Sequence, residues 1–420
     1  MKTLSVLEGA RIPIGLGAGI SRPDAERLRR FDEDHASSTG STVFDWTRRG
    51  MVVARGYVGV VQIPGLAVEI LPKTDEDGGT NGSQQNLLYM LHLSGWLKAR
   101  ERSFASLERQ KMPLIDAFVL IFADGLLDAL REGMDHAYVE REENLRVVRG
   151  RLVMNEHVRR NSVHRERLFV RYDDFSEDTK LNRLLKATCK LLLTKVRSFD
   201  VARRLREIAL RFDGVSDVRP RAVDLEVELT RQNRRFQTHL EFCRLVWRGE
   251  SPSLTHGQQT SFSLLFSMHR LFEAFIATIL RRHSSELGLP LVRVEAQSRG
   301  RHLLQDESGK NFVHLRPDVV GFRDKQTPEF VLDTKWKMLK PGTPIKSASV
   351  SDAYQLYAYA RRYDVPLSVL LYPAVPEVEV QTLKFFGTNH LLRLGFVNLN
   401  RNLRREKNAL LGELAQLLRA

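Results

Sequence analysis

The first ~75 residues alternate short apolar runs with polar breaks at the spacing of strands. Runs at 42–46, 51–54, 57–63 and 66–71 are rich in β-branched and aromatic residues and are bounded by Gly or Pro, which predicts four short strands. A polar, glycine-rich stretch at 75–85 predicts a loop. Helical spacing follows at 86–99, with Leu87, Leu88, Leu91 and Trp96 on one side, and at 113–131, which starts at Pro113 and stops at Gly133. From 144 to 171 the pattern turns extended and basic, predicting a long hairpin of 145–157 with 167–172. Further helices are expected at 179–194, 200–211 and 222–247, and the turn-rich 249–253 is the expected domain boundary.

Beyond it the pattern is that of one α/β unit. A helix is expected at 263–286, strands at 291–296, 313–322 and 330–336, a helix at 352–363, and strands at 367–372 and 395–400. A closing basic helix carries Leu403, Leu410, Leu414 and Leu417 on one face. The fold class predicted is therefore α+β and multidomain. A β-rich and helical N-terminal region with a long hairpin spans 1–250, and an α/β domain spans 251–420. No repeat at a solenoid period is visible.

Composition narrows the class. A chain of 420 residues holds two or three domains. The net charge of +14 and pI near 9.9 point to a polyanion partner, nucleic acid before an anionic membrane surface. Two cysteines, Cys189 and Cys243, exclude a disulfide framework and a cysteine-rich zinc module; both lie in apolar helical contexts and are expected as buried thiols of a reducing cytosol. No apolar stretch is long enough to span a membrane, and the first residues lack a signal-peptide core, so a cytoplasmic location is expected.

The candidate chemistry lies in two neighbouring extended runs. One carries Arg316-Pro317-Asp318 and the next Asp333-Thr334-Lys335. Alternate residues of a strand share a face, so Asp333 and Lys335 point together, and a neighbouring strand can bring Asp318 beside Asp333. Two carboxylates and an ammonium converging suit metal-assisted phosphodiester hydrolysis. An Asp and a Lys two apart are also an ordinary solvated pair at a sheet edge. The apolar setting favours the site, because Val331-Leu332 runs into Asp333 and Val319-Val320 follows Asp318, and charges in such strands need partners.

Glu273 lies on an apolar helix and is a further metal ligand or an exposed face residue. Gln355 and Tyr359, four apart, share a helix face and could hold the lysine or a phosphate. The glycines of 15–19 read as a flexible turn, since neither a convincing strand precedes them nor a hydrophobic helix follows. There is no Walker-type lysine loop and no serine-nucleophile motif, and the histidines lack ligand spacing, with His269 and His314 nearest the site.

Arg316-Pro-Asp318, Asp333-Thr-Lys-Trp-Lys337 and Asp352-Ala-Tyr-Gln-Leu-Tyr-Ala-Tyr-Ala360 resemble the PD-(D/E)xK nuclease core, and more specifically the McrC family, nuclease subunits of McrBC modification-dependent restriction systems. Val58-Gly-Val-Val-Gln-Ile63 with Glu69-Ile-Leu-Pro-Lys73 resembles that family's early β-rich signature. Gly133-Met-Asp-His-Ala-Tyr138, Arg149-Gly-Arg-Leu152 and Phe175-Ser-Glu-Asp-Thr-Lys-Leu-Asn182 resemble its middle segment. The resemblance implies a mixed central sheet flanked by helices in the C-terminal domain. It implies that Asp318 and Asp333 bind Mg²⁺, or Mn²⁺ in its place, with the Thr334 carbonyl. Lys335 would be the catalytic lysine, Glu273 the helix carboxylate, and Gln355 with Tyr359 a supporting pair.

It also implies a hexameric AAA+ GTPase partner, McrB, which reads and translocates DNA and whose hydrolysis McrC stimulates from the ring's pore. The hairpin at 144–171, with Arg159, Arg160, Arg165 and Arg167, is the expected inserted part, or else a DNA contact. Double-stranded, modified DNA would be the substrate and antiviral defence the setting. Residues 1–50 match nothing in the family. Two rivals remain: a non-catalytic adaptor that grips DNA and activates an NTPase, and a stand-alone nuclease.

Overall fold

A computed structural model describes residues 1–15, 19–74, 80–97, 107, 112–164, 166–251, 261–339 and 348–419. The chain divides into two compact units. One holds residues 1–97, 107–114 and 249–420; the other, among the described residues, holds 115–248. The second unit therefore ends at Arg248, and the first 97 residues belong to the same unit as 249–420.

The reason is a strand that the sequence pattern hid. Ser261–Ser267 was expected to begin a helix, yet it is a buried strand pairing antiparallel with Tyr57–Ile63. A short apolar run is ambiguous between helix and strand, and the open edge of Tyr57–Ile63 decides this one. The resulting five-stranded sheet runs Lys2–Leu7, Leu66–Leu71, Tyr57–Ile63, Ser261–Ser267, Glu250–Ser251. Lys2–Leu7 lies parallel to Leu66–Leu71.

A helix the sequence analysis did not anticipate, Arg22–Thr39, buries Ala25, Leu28 and Phe31. Ser21 caps it by accepting from the Asp24 N–H, and Pro23 sits in its first turn, where a missing N–H costs nothing. A helix thus does follow the 15–19 glycines, of which 16–18 lie outside the described residues. The expected loop at 75–85 is partly helical, since Thr80–Leu93 forms a helix; residues 75–79 and 98–99 lie outside the described residues.

The C-terminal part of this unit is a six-stranded mixed sheet in the order Arg293–Ala296, Val319–Phe322, Pro328–Thr334, Leu367–Pro373, Leu391–Val397, Gln381–Lys384. The first three pair antiparallel, the next two join in parallel, and the last is antiparallel. The parallel connection from Pro328–Thr334 to Leu367–Pro373 runs through the helix Val350–Tyr363, whose Leu356, Tyr359, Ala360 and Tyr363 pack on Val320, Val331 and Leu370. The helix Met268–Arg282 buries Leu271, Phe272, Phe275, Ile276 and Ile279, and Lys407–Leu418 buries Leu410, Leu414 and Leu417. Leu332, Val369 and Leu371 are fully buried, each worth roughly 1.5–3 kcal/mol of burial.

The expected strand at 313–322 is broken. Asn311–Leu315 pairs with Arg301–Gln305 in a separate hairpin, and Val319–Phe322 joins the main sheet. Pro317, which lacks an N–H and restricts Arg316, makes the break and leaves Asp318 at the mouth of the second strand.

In the second unit, Ala137–Leu145 pairs along its whole length with Leu168–Ser176, and Arg151–Leu152 adds a short third strand. The expected hairpin of 145–157 with 167–172 is thus shifted. Residues Met154–Asn161 are helical, with Glu156 pairing to Arg159 and Arg160 at helical spacing. The expected helix at 222–247 reduces to two 3₁₀ turns and Gln237–Arg248. Cys189 and Cys243 are buried free thiols, as expected, and burial pushes Cys243 up to about 12. Among the described residues no helix is long and apolar enough to cross a membrane.

Gly59 lies where the Ser261–Ser267 strand approaches most closely. Its φ is +130°, and a Cβ there would stand 2.0 Å from the Leu264 carbonyl oxygen. Gly59→Ala is expected to destabilise the fold by ~2–4 kcal/mol, read from denaturant unfolding. A loss below ~1 kcal/mol would show that the two strands can part without consequence.

Candidate active site

Register builds the site. Val319 pairs with Leu332 in the antiparallel ladder, so one step further Asp318 falls opposite Asp333. The alternation that turns Val320 and Val331 towards the Val350–Tyr363 helix turns both carboxylates the same way. Asp318 Oδ2 accepts two hydrogen bonds from Thr334, from the main-chain N–H and from Oγ1, each 2.7 Å. Thr334, fully buried, thereby fixes the rotamer of the opposite carboxylate.

Lys335 is the next residue on the Asp333 face. Its Nζ lies 2.6 Å from Asp333 Oδ2 and 3.6 Å from Asp352 Oδ1. Asp333 is 3% exposed, and its Oδ2 accepts no well-aligned hydrogen bond, so the ammonium is what balances it. Burial disfavours the Lys335 charge, but Asp333, Asp352 and Asp318 outweigh that and raise its pKa.

Glu273 does not join the carboxylate pair directly. Its Oε1 accepts from Gln297 Nε2 at 2.5 Å, and Gln297 Oε1 accepts from Arg316 Nη2 at 2.6 Å. Its charge nevertheless reaches Asp318. Among the described residues no three His, Cys, Asp or Glu side chains gather closely enough to hold a metal ion by themselves. Mg²⁺, however, is commonly held by one or two carboxylates, with water and substrate phosphate completing its shell. A buried and a half-buried carboxylate, an all-oxygen donor set and an Asp333 oxygen without an aligned donor fit such an ion.

Gln355 Nε2 donates to Tyr359 Oη at 2.7 Å, so the expected pair forms, and Asp333 and Asp318 both act on the Tyr359 hydroxyl. His269 is exposed, yet its charge reaches Asp333. His314 meets His302 across the separate hairpin, ring centroids 4.1 Å apart and the planes tilted by 48°. Arg159 and Arg160 pair with Glu156 in the second unit, and Arg160 also lies over the Phe169 ring. Arg167 is exposed, and Arg165 lies outside the described residues.

A family model described as the McrBC 5-methylcytosine restriction system component matches residues 52–373. The chain belongs to the McrBC family. No curated protein matches it. Among solved structures it is similar to a chain of the refined half-complex from the tetradecameric assembly of Thermococcus gammatolerans McrB AAA+ hexamers with bound McrC. That match has a TM-score of 0.69 and 21% identity, and it covers 97% of this chain and 100% of that one. It is also similar to a chain of the T. gammatolerans McrBC complex, with a TM-score of 0.55 and 23% identity over 67% of this chain and 88% of that one. At these identities the likeness is one of fold.

The McrBC family match starts at residue 52 and so leaves the first strand and helix outside it. Within the matched part, sequence reasoning missed two residues. Asp352 sits in the first turn of its helix, where an acidic residue looks like ordinary dipole complement; only the fold brings it to Lys335. Gln297 follows the Arg293–Ala296 strand with a φ of +49°, and its N–H also donates to the Asp318 carbonyl at 2.9 Å. A non-glycine residue held in the left-handed region marks a constrained position, but no sequence pattern announces it.

The like charges have a measurable consequence. Burial, then the charges of Asp333 and Glu273, push Asp318 up to about 7 against the pull of the Thr334 hydrogen bonds. A folded carboxyl raised above its ordinary 3.8 adds stability that is complete below that pH and is lost as pH rises towards 7. In chelator, the wild type is therefore expected to lose on the order of 2–4 kcal/mol across this window relative to Asp318→Asn. Denaturant unfolding at pH 4 and pH 7 checks this, and parallel profiles would contradict it.

Proposed function

We propose that this chain is the DNA-cleaving subunit of a McrBC-type restriction system, hydrolysing phosphodiesters with Mg²⁺ at a PD-(D/E)xK core. The observation that carries the proposal is Asp318 held opposite Asp333 by Thr334, with Lys335 on the same face, in a chain of this family. Asp318, Asp333 and the Thr334 carbonyl would hold the cation, which when bound supplies Lewis-acid polarisation of the phosphate and a lowered pKa for water. Lys335, kept charged by its carboxylate neighbours, orients the attacking water and offsets negative charge developing on the phosphate. Asp352 shares the ammonium and limits where it can point. Glu273 is the third carboxylate of the site, linked to Arg316 through Gln297. Gln355 and Tyr359 support the Asp333 face. Cleavage leaves a 5′-phosphate.

The solved neighbour is described with McrB AAA+ hexamers and bound McrC. By that likeness the chain would work in the cytoplasm on a McrB-like GTPase ring, which reads modified double-stranded DNA. The basic segment at 144–171 is the proposed ring or DNA contact. Its exposed Val147 and Val148 lie between the two long strands, beside Arg146 and Arg149. The net charge of +14 supports a polyanion substrate.

Asp333→Ala and Lys335→Ala are each expected to reduce cleavage of supercoiled plasmid by at least ~10³-fold with Mg²⁺ and a ring partner present, while ring binding and stimulated NTP hydrolysis persist. Normal cleavage by either variant would overturn the assignment. A second measurement needs no activity. At pH 7, Mg²⁺ at ten times its Kd is expected to stabilise the wild type by about 1.4 kcal/mol and to leave Asp333→Asn unmoved in the same melt. Equal shifts would place the cation elsewhere.

A further inference from the structure

Lys335 is the last residue of its strand tied to the sheet, its N–H donating to the Leu371 carbonyl at 2.9 Å. The chain then leaves the ladder, and the next anchor is the side chain of Trp336. Its ring meets Phe272 edge-on, centroids 5.4 Å apart, and its Nε1 donates to Glu8 Oε2 at 2.6 Å. Glu8 directly follows the first strand of the chain, 328 residues earlier.

The other oxygen of that carboxylate, Oε1, accepts from the Gly56 N–H at 2.8 Å, and the Gly56 carbonyl accepts from the Met268 N–H at 2.9 Å. Met268 is the first residue of the helix that carries His269, Phe272 and Glu273. A single carboxylate therefore joins the exit of the Lys335 strand to the start of the Glu273 helix. Gly56 takes a φ of +72° to make the connection, with open space around it. Both donors are neutral, so the negative charge strengthens two hydrogen bonds at once. It does so in a place where burial pushes the Glu8 pKa up and the two bonds oppose that rise.

We propose that Glu8 is a positioning residue for the candidate site, holding Lys335 through Trp336 and the Glu273 helix through Gly56. This rests on the hydrolytic role proposed above for Asp333 and Lys335. It gives the strand that opens the chain, outside the matched family segment, a part in cleavage. Catalytic groups must be held to within a fraction of an ångström, and a misplacement of about 1 Å can cost about 10²-fold.

The test uses the full chain with a McrB-type ring partner, and the variants Glu8→Ala, Glu8→Gln, Trp336→Phe and the double variant Glu8→Ala/Trp336→Phe. Trp336→Phe keeps a ring against Phe272 and guards against a Glu8→Ala variant that fails to fold. Single-turnover cleavage is expected to slow about 10–100-fold in Glu8→Ala and in Trp336→Phe, with DNA affinity within about twofold of wild type. The double variant should be no slower than the slower single variant, as for two groups acting through one contact. Glu8→Gln, which keeps an acceptor for Trp336, should recover part of the rate. Independently of activity, hydrogen exchange should quicken in the segments 333–339 and 268–275 of Glu8→Ala.

Wild-type rates and wild-type exchange in both single variants would overturn the role of Glu8. So would a loss of rate that only follows loss of DNA affinity or melting temperature. If the wild type itself does not cut, the proposed function fails, and the exchange comparison still decides whether Glu8 holds these two segments.

Discussion

Everything in the candidate site depends on two carboxylates set side by side, Asp333 buried and Asp318 half-buried. Antiparallel register sets Asp318 opposite Asp333, and neither could remain there without compensation, because a desolvated charge next to a like charge is costly. The compensation is unequal. Asp318 receives two neutral donors from one residue, Thr334, whereas Asp333 receives the Lys335 ammonium. One carboxylate is thus fixed in direction but still basic, and the other is neutralised in place. The Pro317 break lets Asp318 stand at the strand mouth, where only its Oδ2 is taken up by Thr334 among the described residues.

The surrounding structure serves to keep that pair in register. The Pro328–Thr334 strand is covered on both faces, by Val350–Tyr363 on one side and the Met268–Arg282 helix on the other. The residue after Lys335 is tied to Glu8. Two sheets that look independent in topology therefore meet at the end of one strand. The strand Ser261–Ser267 makes this geometry, since it carries the chain from the N-terminal sheet directly into the Met268–Arg282 helix. That pairing brings the start of the Met268–Arg282 helix beside the N-terminal sheet, where the Met268 N–H donates to the Gly56 carbonyl.

Much of the site was legible because it depends on local periodicity. The shared face of Asp333 and Lys335, the apolar helix around Glu273 and the four-residue spacing of Gln355 and Tyr359 all follow from strand or helix geometry, and each is found. What depended on partners was not legible. Asp352 and Gln297 reach the site only through a parallel crossover and a left-handed turn. Ser261–Ser267 is apolar enough for either state, and Tyr57–Ile63 chose strand. In the basic segment the extended pattern predicts one hairpin of 145–157 with 167–172, yet Glu156 with Arg159 and Arg160 stabilises a helix, and the long strands are Ala137–Leu145 and Leu168–Ser176.

The distribution of charge explains why a cation belongs in the proposed chemistry. The chain carries +14 overall, so a polyanion is attracted from a distance. At the site the sign reverses: Asp333 and Glu273 act on Asp318, Asp352 acts on Asp333, and Asp318, Asp333 and Asp352 all act on a single ammonium. Two like charges ~4 Å apart repel by about 4 kcal/mol at an effective dielectric of 20, so the phosphodiester of the proposed substrate would be refused by the carboxylates themselves. Lys335 cannot relieve this alone, because Asp333 and Asp352 already share it. In the proposed chemistry Asp318 and Asp333 would hold a divalent ion whose charge would offset this repulsion, leaving Lys335 to face the phosphate. Under the proposed function, long-range attraction with short-range refusal would make DNA binding and DNA cutting separable steps, with a cation on the carboxylate pair converting one into the other.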